Sequence, residues 1–415
     1  MRTALARSFD AMSIANYRRF FTGQVVSTSG NWMQTVAEIW LILSLTGSGF
    51  AVGLTTALQF LPILLFGFWG GALADRLGKR RLLMGTQILM MLPPLALLLL
   101  VLSDAVLPWM VFAAVFVRGS LLAIDNPARQ AFVMEIVGPS RIVNAVSLNS
   151  VIVHSARVVG PALAGVMIAT VGVAPCFGLN AASFLVMLWA LSRIDSGTLE
   201  PVPRSRSGER GVSEAMRYVR ATPELLIPLA LMAIVGTLGL NFHVVLPLLA
   251  TMTFAGGPTS YALLVSAMGA GSVVGALILG ARGSTGLGVI AGSALAFGIL
   301  ALTAAAMPSL PWELPVLALL GAAAVTFAAA VNTSLQLVVV PEMRARVMAI
   351  YTVVFLGTTP IGGPLAGWIS ETWDPRAALV MAAAAGLLAA TAAYWILSRD
   401  GRRFAAQGLA VDGIK

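Results

Sequence analysis

Long runs of apolar residues alternate with short polar breaks along almost the whole chain. At a helical rise of 1.5 Å per residue, about 20 apolar residues cross the hydrocarbon layer of a bilayer. Twelve runs are long enough: residues 20–45, 52–73, 82–102, 107–124, 143–171 and 175–191, then 225–250, 260–279, 287–307, 314–338, 347–369 and 377–397. The pattern predicts an all-α membrane protein with twelve transmembrane helices, numbered below as spans 1 to 12.

The break between spans 6 and 7 is the longest, and it is rich in charged residues around Pro201 and Pro203. Such a segment must lie in water. It predicts three parts: an N-terminal six-helix bundle (1–193), a cytoplasmic linker (194–222) and a C-terminal six-helix bundle with a tail (223–415). Within the linker, residues 212–220 are predicted to form a short amphipathic helix on the membrane surface.

Composition agrees with a membrane environment. Hydrophobic residues make up 58% of the chain, charged residues 10%, and the mean hydropathy is +0.90, whereas soluble domains carry roughly 25% charged residues. The net charge of +9 is explained by basic breaks that face anionic headgroups, so no nucleic-acid partner is expected. The single Cys176 excludes an internal disulfide.

Basic residues collect in the breaks on one side of the predicted spans, whereas Asp104, Glu313, Glu371 and Asp374 lie on the other side with Arg376. By the positive-inside rule the basic side is cytoplasmic, which places both termini in the cytoplasm. The first nineteen residues show no cleavable signal peptide, so the first apolar run is expected to remain as a span.

The two halves repeat each other. The same offset of 203 residues separates Arg141 from Arg344 and Gly160 from Gly363, so span 5 has its counterpart in span 11. A six-span duplication is typical of transporters whose halves rock around a central site. A channel, by contrast, would call for a continuous polar lining.

The break between spans 2 and 3 contains a dense motif: Gly71-Ala-Leu-Ala-Asp75-Arg76-Leu-Gly78-Lys79-Arg80-Arg81. It resembles the signature loop of the major facilitator superfamily, and the resemblance implies that superfamily's fold of two pseudo-symmetric six-helix bundles. It also implies a cytoplasmic gate, in which Asp75 docks against the start of span 11.

The same resemblance links Lys79 to an acid at the end of span 4, for which Asp125 is the candidate. Glycine chemistry suggests that Gly71 permits a close helix approach and that Gly78 permits a tight turn. The alternative is a loop that fixes topology alone.

Span 5 carries Arg157, Gly160, Pro161 and Gly165 in a pattern similar to the glycine-proline motif of the superfamily's antiporters. The resemblance implies export; the alternative is a tight crossing or a kink. Segments beginning at Gly30, Asn126, Asn144 and Ala156 resemble the bacterial enterobactin-exporter and drug-efflux branch. That branch implies an exporter of the bacterial inner membrane, with a siderophore, antibiotic or drug as small-molecule cargo; separately, we expect a monomer.

Charges inside spans are expensive and are therefore functional candidates. Glu38 lies roughly 10 Å and Arg118 roughly 16 Å from the outer ends of spans 1 and 4, at 1.5 Å per residue. A pair across the cavity is geometrically possible. One hypothesis is that Glu38 alternates between a proton, Arg118 and a cationic group of the cargo, which couples proton entry to export; the other is a static pair that orients helices.

Further polar residues are candidates for the lining of a central cavity. Asn31 and Gln34 share a face of span 1 with Glu38. The other candidates are Thr237, Asn241 and His243 on span 7, Asn332 and Gln336 on span 10, and Trp32 on span 1. Hydrogen bonds between helices, or anchoring of the tryptophan at the interface, explain the same residues equally well.

The sequence shows no nucleophile with a base, no metal-ligand cluster and no P-loop. We therefore expect no enzyme activity, no metal and no cofactor. Besides proton-coupled export, a lysolipid or lipid flippase, an importer of the same fold and a channel remain open from the sequence.

Overall fold

The computed structural model describes residues 10–200, 210–282, 286–340 and 342–406, and these residues are almost entirely helical, with no strand. The helices of the first half are Ala15–Thr46, Gly49–Arg76, Lys79–Leu102, Pro108–Val171 and Ala174–Ser192. Those of the second half are Pro223–Leu238, Phe242–Leu248, Pro258–Arg282, Leu287–Ala305, Leu310–Val338, Arg344–Gly357, Thr359–Thr372 and Pro375–Ala406. The all-α membrane fold predicted from the apolar runs is confirmed.

Spans 4 and 5 form one helical stretch that reverses at Gly138, whose φ of 69° favours glycine. A side chain at Gly138 would also collide with the carboxylate of Glu200, 2.6 Å from the site of its Cβ. Span 4 is longer than its apolar run, which ends at Ile124. The continuation is amphipathic: Phe132, Val133 and Ile136 are buried in an apolar cluster of the first half, and Asp125 forms an ion pair of 2.8 Å with Arg129 one turn further on.

Eleven stretches among the described helices are long and apolar enough to cross a bilayer, and span 1 is not one of them. Span 1 is nevertheless 32 residues long, which corresponds to about 48 Å. Its low hydropathy comes from polar side chains such as Gln24, Gln34 and Glu38, all of which are buried in the protein. Span 1 therefore turns its polar stripe away from lipid, as an inward-facing helix of a bundle should.

Spans 7 and 11 are broken. Span 7 is interrupted between Leu238 and Phe242 and ends in a π-helical turn over Leu249–Thr253. Span 11 is interrupted at Thr358. The breaks face each other, because a Cβ on Gly236 would lie 2.9 Å from the hydroxyl of Thr358. Broken helices at the centre of a transporter are typical of a substrate site.

One large apolar core extends across both halves, a smaller one lies within the first half, and the halves meet mainly along two helix pairs. Span 2 contacts span 11, and span 5 contacts span 8. These two pairs correspond to each other under the repeat of six spans. Below, the basic face is the side that carries Lys79, Arg80 and Arg346, and the opposite face is the side that carries Ser48 and Glu371.

The predicted surface helix extends over Arg210–Ala221. Ala215 and Val219 are buried against the second half, and Glu214 pairs with Arg346 of span 11 at 2.8 Å. Arg217 and Arg220 are exposed on its outer side. The helix is therefore amphipathic and lies under the second half at the basic face.

Candidate transport site

Glu38 and Arg118 form an ion pair within the first half. The guanidinium Nη2 of Arg118 lies 2.5 Å from Oε2 of Glu38, and each side chain is only 1% exposed. Both terminal nitrogens of Arg118 also approach the hydroxyl of Thr35, at 3.4 Å. The pair predicted to be possible from the sequence is therefore formed, and it is closed off from solvent.

A chain of amides supports this carboxylate from behind. Gln34 donates to Oε1 of Glu38 at 2.6 Å, Asn180 of span 6 donates to the oxygen of Gln34, and Ser183 donates to Asn180 at 2.9 Å. Both oxygens of Glu38 thus accept a hydrogen bond. Such a network restricts the rotamers of Glu38 and of the amides behind it. Neither Asn180 nor Ser183 was expected from the sequence, because polar residues isolated in an apolar span give no sign of their partner.

A second polar cluster bridges the two halves. The ring of Trp32 in span 1 stacks on His243 of span 7, with centroids 5.6 Å apart and planes 30° apart. The guanidinium carbon of Arg157 in span 5 lies 5.2 Å from the centroid of the Trp32 ring. All three side chains are partly exposed. Two of the residues proposed from the sequence, Arg157 and His243, thus both contact one tryptophan between the halves.

Most of the remaining cavity candidates have local partners. Asn241 is buried and donates to the carbonyl of Thr237 at 2.7 Å, which satisfies a carbonyl at the break of span 7. Gln336 donates to Asn332 at 2.6 Å, and Gln336 is exposed near the basic-face end of span 10. Asn31 is partly exposed, and its side-chain oxygen has no partner among the described residues.

The loop between spans 2 and 3 differs from expectation in its ion pair. Lys79 binds Glu135 at 2.6 Å, and not Asp125. Asp125 is buried, pairs with Arg129, and accepts hydrogen bonds from two residues of span 3. The prediction was wrong because span 4 continues beyond its apolar run, so that Glu135, ten residues further on, reaches the level of Lys79.

Gly78 and Arg80 also have roles that the motif does not predict. The φ of Gly78 is −62°, which any residue adopts. This turn therefore does not require glycine, contrary to the prediction. Arg80 donates to the carbonyls of Leu191 and Ser192, both at 2.8 Å, and so neutralises the C-terminal end of span 6.

The rest of the predicted gate lies on span 2. Asp75 and Arg76 belong to the last turn of the helix Gly49–Arg76. Their side chains, and the surroundings of Gly71, lie outside the described part of the structure.

The two halves are joined at the opposite face by what we call the glycine seam, formed by Gly49 and Gly53 of span 2 with Gly363 and Gly367 of span 11. A Cβ on Gly49 would lie 2.6 Å from the carbonyl oxygen of Gly367, and one on Gly363 would lie 3.1 Å from that of Gly53. Only residues without side chains allow the two backbones to come this close.

A carboxylate closes the end of this seam. Glu371 of span 11 accepts hydrogen bonds from the hydroxyl of Ser48 at 2.7 Å and from the backbone N–H of Phe50 at 2.9 Å. The anion thus caps the positive start of span 2, a helix of the other half. The sequence placed Glu371 only in a loop, because its role depends on span 11 meeting span 2.

The glycine-proline motif of span 5 also lies at the contact between the halves. Gly160 faces Trp32, whose Cβ would lie 2.6 Å from a Cβ added to the glycine. Gly165 faces Ala262 of span 8, with the Cα of Ala262 3.3 Å from an added Cβ. Pro161 is buried between them. The motif therefore permits close packing of span 5 on spans 1 and 8. This is the tight helix crossing that was the alternative to a role in export.

A sequence profile of the family described as "Transmembrane secretion effector" matches residues 6–403. The chain belongs to this family of major facilitator superfamily transporters. The resemblance read from the loop motif is thereby confirmed.

Relatives in this family are siderophore and drug transporters. The chain is 24% identical to the staphyloferrin A transporter of Staphylococcus aureus, over 63% of this chain and 66% of that protein. It is 27% identical to the multidrug efflux pump Tap of Mycolicibacterium fortuitum, over 83% and 86% of the two chains. It is also 27% identical to the enterobactin exporter EntS of Salmonella typhi, over 87% of each.

Solved structures of major facilitator transporters share the fold. A bacterial homologue of the human lysosomal transporter Spinster, in an inward-facing and unoccupied conformation, aligns with a TM-score of 0.73 at 17% identity, over 92% of this chain and 96% of that chain. The nucleoside transporter NupG aligns with a TM-score of 0.69 at 12% identity, over 92% and 99%. At these identities the likeness concerns the fold alone.

Proposed function

We propose that this protein is a secondary active exporter that couples proton entry to the outward movement of a small amphipathic molecule by alternating access. The buried pair of Glu38 and Arg118 is the observation that carries the proposal. A carboxylate sealed in the middle of a bundle, with one cationic partner, can exist in two charge states that differ greatly in their hold on that partner.

Protonation of Glu38 is the proposed switch. The ionised carboxylate holds Arg118 and accepts from Gln34, so the pair is neutral and compact. A proton on Glu38 removes the attraction and leaves Arg118 as an unpaired cation, which favours a rearrangement of spans 1 and 4. The bland alternative, a static pair that only orients helices, predicts no change in proton-driven transport when the carboxyl group is replaced by an amide.

Alternating access is the proposed consequence. The glycine seam and Glu371 support a state in which the opposite face is closed. In the reciprocal state Asp75 would dock against the start of span 11, which closes the basic face. The first half (1–193) and the second half (223–415) would rock as two bodies on the linker (194–222), with the basic face and both termini in the cytoplasm of a bacterial cell.

The relatives support export over import, because their names describe efflux pumps and siderophore exporters. We therefore propose a siderophore, antibiotic or drug-like cargo and a monomeric transporter, rather than an enzyme or a channel. Import and lipid flipping are outcomes of the test below.

Everted membrane vesicles incubated in cell extract provide the test. Under an imposed pH gradient, untargeted metabolite profiling should find at least one small molecule that accumulates with the wild-type protein and is lost on adding a protonophore. Glu38→Gln should abolish this accumulation. Glu313→Gln is the matched control, because Glu313 is a buried carboxylate in span 10 outside the pair.

Accumulation at the full rate with Glu38→Gln would remove Glu38 from proton coupling. Depletion from everted vesicles instead of accumulation would indicate import. Gradient-independent movement of labelled lipid would favour a flippase.

A further inference from the structure

Two arginines lie deep in the described spans, and their contacts differ: Arg118 is buried and Arg157 is partly exposed. Arg118 has a carboxylate partner at 2.5 Å. Arg157 forms no ion pair with any described residue, and its Nε atom is buried without a hydrogen-bond partner. Its one strong contact is the face of Trp32, 5.2 Å away. The guanidinium therefore enters the bilayer with its charge uncompensated by the protein.

The position of Arg157 makes this costly. It lies fourteen residues before the end of its helix at Val171, which corresponds to about 21 Å along the axis. From there the side chain cannot reach the headgroup region to place its charge in water. An arginine stays protonated in proteins, so it cannot escape the cost by losing its proton. Intramembrane charges of this kind mark substrate pathways unless they are paired.

The surroundings of Arg157 are those of a binding site between the two halves. Trp32 of span 1 and His243 of span 7 stack beside it, and all three side chains retain exposed surface. Span 7 is interrupted directly before His243, and Gly160 allows Trp32 to lie against span 5. An aromatic or apolar body can lie along the two rings, while an acidic group reaches the free guanidinium donors.

We propose that Arg157 is the receptor for an acidic group of the cargo, and that Trp32 and His243 hold its apolar part, so that the transported molecule is an amphipathic organic anion. This inference rests on the proposed function and names its substrate class. Because Trp32 and Arg157 belong to the first half and His243 to the second, separation of the halves takes the site apart. Affinity for the anion therefore differs between the two states, which export requires.

The test uses the full-length protein in lipid nanodiscs and three pairs of probes: benzoate, 2-naphthoate and 1-pyrenebutyrate, each with its neutral amide. Calorimetry should show that at least one acid binds at least tenfold more tightly than its amide. Arg157→Gln should reduce this preference to within twofold and leave binding of the amide unchanged. Arg157→Lys, which keeps the charge, should retain most of the preference.

Arg399→Gln is the matched control. Arg399 also lies over a tryptophan, with its guanidinium carbon 4.5 Å from the Trp395 ring, but it is exposed at the end of span 12. This variant should leave the preference for the acid unchanged. A thermal unfolding scan with and without the best acid provides a second readout, since the acid should raise the Tm of the wild type and of Arg399→Gln, and not that of Arg157→Gln.

The inference is wrong if no acid of the panel binds more tightly than its amide, or if Arg157→Gln retains the preference. The proposed function fails separately. Proton-driven accumulation in vesicles without any preference for anions would support the proposed function and contradict the anion site at Arg157. Anion binding at Arg157 without proton-driven transport would support the anion site and contradict the proposed proton coupling.

Discussion

The two faces of the molecule are held together by different contacts. At the opposite face the contacts join the two halves: the glycine seam, and Glu371 on the start of span 2. At the basic face, the described ion pairs lie within one half or between a half and its surface helix, as for Lys79 with Glu135 and Arg346 with Glu214. A change at the opposite face should therefore shift the equilibrium between states, and a change at the basic face should affect the stability of one half.

Gly53→Ala should have the largest effect. Its methyl group would lie 2.7 Å from the backbone of Gly363 and Pro364, atoms that cannot move aside without separating the spans. Overpacking of this kind costs about 1–3 kcal/mol, which favours the state with the opposite face open by roughly 5- to 150-fold. Spin labels at Ala105→Cys and Thr372→Cys, which lie in different halves at this face, should show a population with a longer separation.

Gly85→Ala is the control for this variant. Gly85 lies inside the helix of span 3, and an added methyl group would meet nothing within 4 Å. Both variants gain the same helix propensity, so a difference between them reports the seam. An unchanged distance distribution for Gly53→Ala would contradict the role of the seam in closure.

Glu371→Gln should have an intermediate effect. The amide still accepts hydrogen bonds from Ser48 and Phe50, but the interaction of the charge with the helix start is lost, at about 1 kcal/mol. We expect a shift of roughly fivefold toward the open opposite face with the same labels, and a smaller shift at high salt. Asp104→Asn removes a charge from the same face without touching span 2, and it should leave the distances unchanged. An equal effect of both variants would indicate a general field of the face instead of a specific contact.

Lys79→Gln should leave the distances between the halves unchanged, which is the smallest effect of the series. Its pair with Glu135 joins spans 3 and 4 of the same half and is partly exposed, so its loss should reduce the free energy of unfolding by about 1 kcal/mol or less. A double-mutant cycle with Glu135→Gln, followed by thermal unfolding, measures the coupling. A longer distance at the opposite face in Lys79→Gln would break the contrast between the faces.

Most of the fold could be predicted from the sequence because a transmembrane helix is determined by the length and hydropathy of one continuous segment. The polar stripe of span 1 was also predictable, since Gln34 and Glu38 are one turn apart and cannot face lipid. The ends of helices were less so. The apolar run of span 4 stops at Ile124, whereas the helix continues to Gly138, because its last turns are amphipathic and bury only one face, with Phe132 and Ile136.

Partners between distant parts of the chain were the least predictable element of the site. The choice of Glu135 over Asp125 for Lys79 depends on the true length of span 4. The contact of Glu371 with span 2 depends on which helices of the two halves meet. The pair of Glu38 and Arg118 was recognised as possible because charges in the middle of a span are so rare that few partners are available.

The glycine seam also bears on the speed of the cycle. Glycine has no rotatable side chain, so bringing the two backbones together freezes no rotamers, and parting them releases none. At the four glycines of the seam, no side chain has to be withdrawn before the two backbones move apart, unlike in a densely packed core. The activation free energy for opening this face should therefore be low, so that opening of this face does not limit the rate of turnover.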